Sequence, residues 1–248
     1  MASSGDSPAQ KKRKYPLEMS YSKVPQEQLE KRIGTTMIDL YSKMISPEDM
    51  LAQAGYCSNN NTMKATKDEV YKGIVRYLAV ETPLVDHKRF KEANVCDLVL
   101  QIILPIICDF KQNTGRERVT LFREQNLLYE DSKVGGHEGF IVVDMISGLG
   151  ERNILTTSAA MGQCLLAMKD LGDSNKGGII YGFVTTGDVW RMLSYDGATF
   201  QVTDKLFVMF DLMRNDKDKW MRNFSLVVDC IYAALSNGGM EKKGGLAG

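Results

Sequence analysis

Apolar residues at Leu29, Ile33, Met37, Leu40 and Met44 recur three and four positions apart, which lays them along one face of an amphipathic helix running on from Pro25. Ser46-Pro47-Glu48-Asp49 stops that stripe and offers the start of another helix. Gly55 to Thr66, with Asn59-Asn60-Asn61, reads as a polar loop. Val70, Ile74, Tyr77 and Leu78 then form a second helical stripe over Lys67 to Val80, which Pro83 ends. From Phe90 to Phe110 the chain is apolar through Val95, Leu98, Val99, Ile102, Ile103, Leu104, Ile106 and Ile107. That length predicts a buried helix kinked at Pro105. Residues 17–112 therefore read as a mostly helical N-terminal region.

After Gly115 the texture changes to short runs of Val, Ile, Phe and Tyr between Gly, Asn and Asp, which is strand-and-turn composition. Val119 to Leu128 and Gly139 to Ile146 read as a strand pair joined across Gly135-Gly136, with Gly135-Gly136-His137-Glu138-Gly139 as the hairpin turn. A strand at Ile154 to Thr157 precedes helical spacing through Met161, Cys164, Leu165, Met168 and Leu171, with Gly172 placed to cap that helix. Strands resume at Ile179 to Thr185, Val189 to Tyr195 and Phe200 to Val208, with Asp196-Gly197 as a turn signal. One final helix carries Trp220, Phe224, Val227, Ile231 and Leu235. Residues 113–238 thus read as an α/β core, and 239–248 as a flexible tail.

Composition narrows the chemistry. The 248 residues are 44% hydrophobic, ample for a packed core. Lys plus Arg and Asp plus Glu each number 31, so a grip on nucleic acid has to come from a local basic patch. Five cysteines without a Cys-x-x-Cys pair, and two histidines, His87 and His137, argue against a structural zinc site and for reduced intracellular thiols. No apolar run approaches the length of a bilayer span, and no apolar leader opens the chain, so neither membrane insertion nor the usual route of secretion is expected. Residues 1–16 are Ser- and Lys-rich and read as a disordered arm. Its Lys11-Lys12-Arg13-Lys14 has the composition of a nuclear import signal, although a solvated charge run has the same composition. A nuclear location and an import receptor as partner follow from the first reading. Walker-type phosphate loops, His-Glu-x-x-His and Gly-x-Ser-x-Gly do not occur.

The residue that draws attention is Asp144, at the end of the apolar run Phe140-Ile141-Val142-Val143. A buried carboxylate there needs a metal, an arginine or a hydrogen bond to compensate its lost hydration; an exposed strand-end Asp needs none. Glu138 alternates onto the same strand face as Asp144, with His137 opposed.

The order helix, strand, strand, helix, strand, hairpin over roughly residues 92–235 is similar to the PD-(D/E)xK, or restriction-endonuclease-like, phosphodiesterase superfamily. With Gln163-Cys164-Leu165-Leu166-Ala167-Met168-Lys169-Asp170 and Tyr181-Gly182-Phe183-Val184-Thr185-Thr186-Gly187, it more closely resembles a lineage-expanded fungal group with that core, and crinkler-type nuclear effectors use related cores. The resemblance implies a mixed sheet flanked by helices, with an Asp at the position of Asp144 and a Glu-x-Lys on the next strand holding Mg²⁺ that activates water. It also implies a helix Gln, here Gln163, that orients the site or contacts nucleic acid, and an aromatic on the following hairpin, here Trp190, whose expected role is packing.

The chain departs from that pattern after Asp144. Gly150-Glu151-Arg152-Asn153-Ile154-Leu155-Thr156-Thr157-Ser158 contains no Glu-x-Lys, and threonines are weak metal ligands. Glu151 is the substitute ligand to consider, although a solvated turn is its ordinary setting; Glu138 is a further ligand candidate, and Glu124 and Asp97 are weaker ones. The expectation is a nuclear, nucleic-acid-associated protein with a degenerate metal site. The alternatives are an active Mg²⁺-dependent DNA or RNA endonuclease, with Mg²⁺ its cofactor, and a non-enzymatic effector or protein-interaction module.

Overall fold

A computed structural model describes residues 19–56, 63–80, 92–127, 134–146, 150–158, 160–175 and 178–238. The basic arm with Lys11 to Lys14, the Asn59-Asn60-Asn61 loop, Pro83, His87 and the tail 239–248 lie outside them.

A two-residue strand β1 (Met19–Ser20) leads through a 3-10 turn into helices α1 (Gln26–Ile33), α2 (Met37–Ser42), α3 (Pro47–Gln53), α4 (Lys64–Val80) and α5 (Glu92–Thr114). The expected single helix through Leu29 and Met44 is broken into α1 and α2. Gly34 adopts a left-handed φ of 74° and closes α1, and Thr36 Oγ1 then accepts from Asp39 N–H (3.0 Å) to cap α2. Ser46 caps α3 in the same way, accepting from Asp49 N–H at 3.0 Å. Pro105 stays inside α5 and leaves the Gln101 carbonyl without its helical donor. That carbonyl faces the α4 backbone at Gly73, where an added Cβ would lie 3.2 Å from the oxygen.

The strands are β2 (Val119–Leu127), β3 (Val134–Ile146), β4 (Gly150–Ser158), β5 (Ile180–Thr185), β6 (Val189–Tyr195), β7 (Phe200–Val202) and β8 (Leu206–Phe207). Between β4 and β5 runs α6 (Met161–Ser174), and α7 (Lys217–Asn223) and α8 (Leu226–Asn237) close the described chain. Among the described residues the ladder runs β1-β3-β4-β5-β6-β7, with β2 on β3 and β8 on β6. β2, β3 and β4 are antiparallel neighbours, whereas β4 and β5 are parallel, which the α6 crossover permits. The chain is therefore α/β, a helical N-terminal region followed by a mixed sheet packed against helices.

Three local expectations are corrected. Gly135 and Gly136 belong to β3, not to a turn: Gly136 pairs with Leu127 and Gly135 with Ser20, so ladder bonds to two strands hold the glycines extended. Gly172 lies inside α6, where an added Cβ would meet the Tyr195 ring at 2.8 Å, so it serves close approach and Asn175 caps the helix instead. The final helix is two, because α7 ends at Asn223 and α8 begins at Leu226.

Alternation along the strands sorts the core onto two faces. Phe140, Val142, Leu155, Tyr181 and Phe183 join α4, α5 and α8 in one cluster. Ile141, Val143, Ile180 and Leu193 join α6 and α1 in the other. On the α6 side Gly182 of β5 is the contact point, since an added Cβ would lie 2.3 Å from Met168 Sδ and 2.7 Å from Cys164 Sγ. No helix among the described residues is long and apolar enough to cross a membrane.

Candidate functional site

Asp144 stands near the end of β3, flanked in register by Val119 of β2 and Arg152 of β4. That register follows from a bulge in β4: Val142 pairs with Leu155 but Val143 with Asn153, so Ile154 is the extra residue. The carboxylate is half-buried and engaged by Arg116, whose Nη2 and Nε donate to Oδ2 at 2.7 and 3.2 Å. Arg116 reaches it because Gly115, at φ 68°, ends α5 and turns the chain toward β2. The same guanidinium donates from Nη1 to the Leu235 carbonyl in the last turn of α8 (2.9 Å), where the helix dipole favours a cation. It also lies over the Phe110 ring, 5.2 Å from the centroid. One arginine thus ties α5, β3 and α8 together, and it is the arginine that compensates Asp144.

Strand and helix geometry keep Glu138, Glu124 and Asp97 away from Asp144, whereas Glu151 pairs with Met145, the next residue of β3. Glu138 pairs with Gln125, and at about 3.3 Å per residue its backbone lies about 20 Å along β3 from Asp144. Two carboxylates so placed cannot share one ion, whose ligand bonds are about 2.0–2.5 Å. Glu151 lies in β4 rather than in a solvated turn, and it is Arg152, one position on, that stands across from Asp144. Asp97 is near the opposite end of α5 from Arg116, about 25 Å of helix away. Glu124 falls in β2, one residue beyond Arg123, which pairs with Phe140. Among the described residues no group of three His, Cys, Asp or Glu side chains is arranged to hold a metal ion.

Gln163 occupies the first turn of α6 at the other end of β4. Ser158 Oγ donates to its Oε1 at 3.1 Å and accepts from Ala160 N–H at 3.3 Å, so the pair fastens the helix start to the strand end. Ser158 is about 20 Å along β4 from Arg152, and α6 covers the sheet face opposite the one on which Asp144 meets Arg116 and α8. Gln163 and Asp144 therefore belong to different places. The strand ends near the start of α6 carry buried Thr156 and Ser158 on the α6 face, and buried Thr157 and Thr185 on the opposite face. Trp190 is fully buried, donates to the Gly187 carbonyl (3.1 Å) and meets Phe183 edge-on; its role is packing, as expected.

Sequence reasoning passed over Arg116. The signal was there in Thr114-Gly115-Arg116, a helix end, a turn glycine and a cation, but it is separated by 28 positions from its partner. It also passed over a buried ion pair, Lys67 with Asp229 (2.6 Å) between α4 and α8, and a partly buried one, Arg32 with Asp170, whose carboxylate also accepts from Tyr21. Burial pushes the Asp170 carboxyl above its usual range, with the Tyr21 and Arg32 contacts pulling the other way. Comparison with family models and with curated proteins returns no match.

Proposed function

We propose that the chain is a restriction-endonuclease-like protein that associates with nucleic acid in the nucleus and has lost the metal site of that fold. The succession α5-β2-β3-β4-α6-β5, an antiparallel meander followed by a parallel crossover strand, supports the kinship. The observation that carries the loss is the Arg116–Asp144 pair. The carboxylate that the resemblance assigns to Mg²⁺ already holds a guanidinium and faces Arg152 in register, and among the described residues no group of three His, Cys, Asp or Glu side chains is arranged to hold a metal ion. These residues do not fit a Mg²⁺ site, which wants several hard oxygens and no competing cation. The strand end that the resemblance gives a Glu-x-Lys carries Thr156, Thr157 and Ser158, which supply neither the charge nor the proton chemistry for phosphodiester hydrolysis.

What remains is binding through cationic side chains, with affinity that falls as salt rises. The arm with Lys11 to Lys14 serves as import signal and as a source of phosphate contacts. The test uses the full chain with labelled single- and double-stranded DNA and RNA. Expected are salt-dependent binding, no cleavage with Mg²⁺ or Mn²⁺, and nuclear enrichment that is lost when Lys11, Lys12, Arg13 and Lys14 become Ala. Metal-dependent cleavage abolished by Asp144→Ala would establish an active endonuclease and end the proposal. Nuclear enrichment without any nucleic-acid binding would end it in favour of a protein-interaction module.

A further inference from the structure

Positive charge is unevenly spread along this chain. Lys plus Arg and Asp plus Glu balance at 31 each, yet residues 1–16 set Lys11, Lys12, Arg13 and Lys14 against Asp6 alone, so residues 17–248 carry a net charge of −3. We propose that the run Lys11 to Lys14 is the chain's one nucleic-acid contact, so that an import receptor and a nucleic acid exclude each other from it. The inference rests on the functional reading above and adds an order of events to it: the chain holds nucleic acid only after its import receptor has left.

Two observations confine the contact to that run. The first is local charge. The other adjacent basic pairs in the sequence, Lys31-Arg32, Lys88-Arg89 and Lys242-Lys243, each have an acid within two positions, at Glu30, Asp86 and Glu241. Lys11 to Lys14 have no acid nearer than Glu18, four positions on. A phosphate that approaches one of the other pairs therefore meets a carboxylate well inside the screening length of about 8 Å, and repulsion offsets the attraction.

The second observation is pairing in the fold. Arg32 is held by Asp170, Arg116 by Asp144, and Lys72 and Lys217 by Asp68 and Glu69. A phosphate that takes one of these cations leaves a carboxylate without its partner, so the exchange returns less than contact with a solvated lysine. Elsewhere acids interrupt the cations, as in Arg116-Glu117-Arg118 and Asp216-Lys217-Asp218-Lys219.

Length makes the two partners rivals. Four residues reach at most about 14 Å when extended, and a duplex presents one phosphate charge per ~1.7 Å of axis. A nucleic acid laid along the run neutralises all four cations together, and a receptor that reads the same four leaves none to spare. Each partner therefore lowers the affinity for the other.

Fluorescence anisotropy of the full chain with a labelled single strand of about 20 nucleotides and with its duplex, from about 50 to about 200 mM salt, tests this. Four contacts predict a slope of log K against log salt of about −3.6 on the duplex and about −2.8 on the single strand. Replacing Lys11, Lys12, Arg13 and Lys14 with Ala should weaken binding at least about a hundredfold at low salt and leave the melting temperature in place. Replacing the three lysines with Arg should keep the affinity, since the charge stays. Lys88→Ala combined with Arg89→Ala should change it less than about threefold. An import receptor for basic signals, added to the complex, should return the anisotropy to that of the free strand. A parent chain that binds no nucleic acid ends the functional reading and this inference together. Binding that keeps more than about a tenth of its affinity in the four-alanine variant, or a slope steeper than about −6, overturns this inference alone. A receptor that fails to compete, or that forms a ternary complex with the chain and the strand, overturns it as well.

Discussion

Removing the Asp144 carboxylate separates a structural anchor from a metal ligand, because the two respond with opposite signs. A hydrogen bond to a charged group contributes about 1.5–3 kcal/mol, and a fully exposed ion pair about 0–1 kcal/mol. The Asp144 and Arg116 side chains are 17% and 22% exposed, which places the pair between these limits. Asp144→Ala should therefore cost about 1.5–2 kcal/mol. Arg116→Ala loses in addition its bond to the Leu235 carbonyl and its contact with Phe110, for a total of about 3 kcal/mol. The double variant should fall short of the sum by about 1–1.5 kcal/mol, since both single changes break the same pair. Urea unfolding at neutral pH gives the cycle, and a melting temperature lower by about 3–8 °C gives an independent check on Asp144→Ala. A carboxylate kept for a metal behaves differently: its removal from the apo protein is neutral or stabilising, as at other functionally strained sites. If Asp144→Ala leaves stability unchanged or raises it, and the cycle shows no coupling, the anchor reading is refuted.

Gly182→Ala forces a methyl group to within 2.3 Å of Met168 Sδ and 2.7 Å of Cys164 Sγ, both buried, and should destabilise by about 1–3 kcal/mol in chemical denaturation. Combining it with Cys164→Ala should recover part of that loss; strict additivity would show that α6 does not press on β5 at Gly182. Asp170 yields a pH prediction. Its folded-state carboxyl titrates above the ordinary range, so the folded protein binds the extra proton, and Asp170's titration adds stability at acid pH that disappears as pH rises through the raised value. The stability of the parent minus that of Asp170→Asn should therefore shrink over the interval in which pH rises above the ordinary carboxylate range. A gap that widens over that interval would mean that the Arg32 and Tyr21 contacts outweigh desolvation.

Much of the architecture was legible because it rests on periodicity. The stripes from Val70 and from Leu98 became α4 and α5, and the run Phe140 to Val143 became the two-faced centre of β3. The errors fell where a local rule met a tertiary contact. Gly135-Gly136 has turn composition, but pairing with both β1 and β2 outweighs it; Gly172 has cap composition, but the Tyr195 ring against it explains the glycine. The break between α1 and α2 was legible in Gly34 and in the Thr36-x-x-Asp39 cap, and the continuous apolar stripe hid it.

The candidate site divides along the same line. That Asp144 needs a compensating partner follows from one carboxylate at the end of an apolar strand, and three residue types satisfy the requirement. Choosing among them takes the path of the chain after α5, which depends on a single left-handed glycine and delivers Arg116 rather than an acid. Register does the rest. One extra residue in β4, Ile154, sets Arg152 instead of Asn153 opposite Asp144, one position short of Glu151, and alternation with a period of two sends neighbouring side chains to opposite faces. A one-residue shift therefore separates a cation from a carboxylate beside Asp144, and no spacing rule applied to Glu138, Glu151 and Gln163 could detect it. Deleting Asn153, with the bulge at Ile154 kept, should bring Glu151 level with Asp144. If the deletion variant folds and gains Mn²⁺ binding in a calorimeter, the register of β4 is what keeps this strand pair from holding metal; a folded variant that still ignores the ion would assign that role to Arg116 alone.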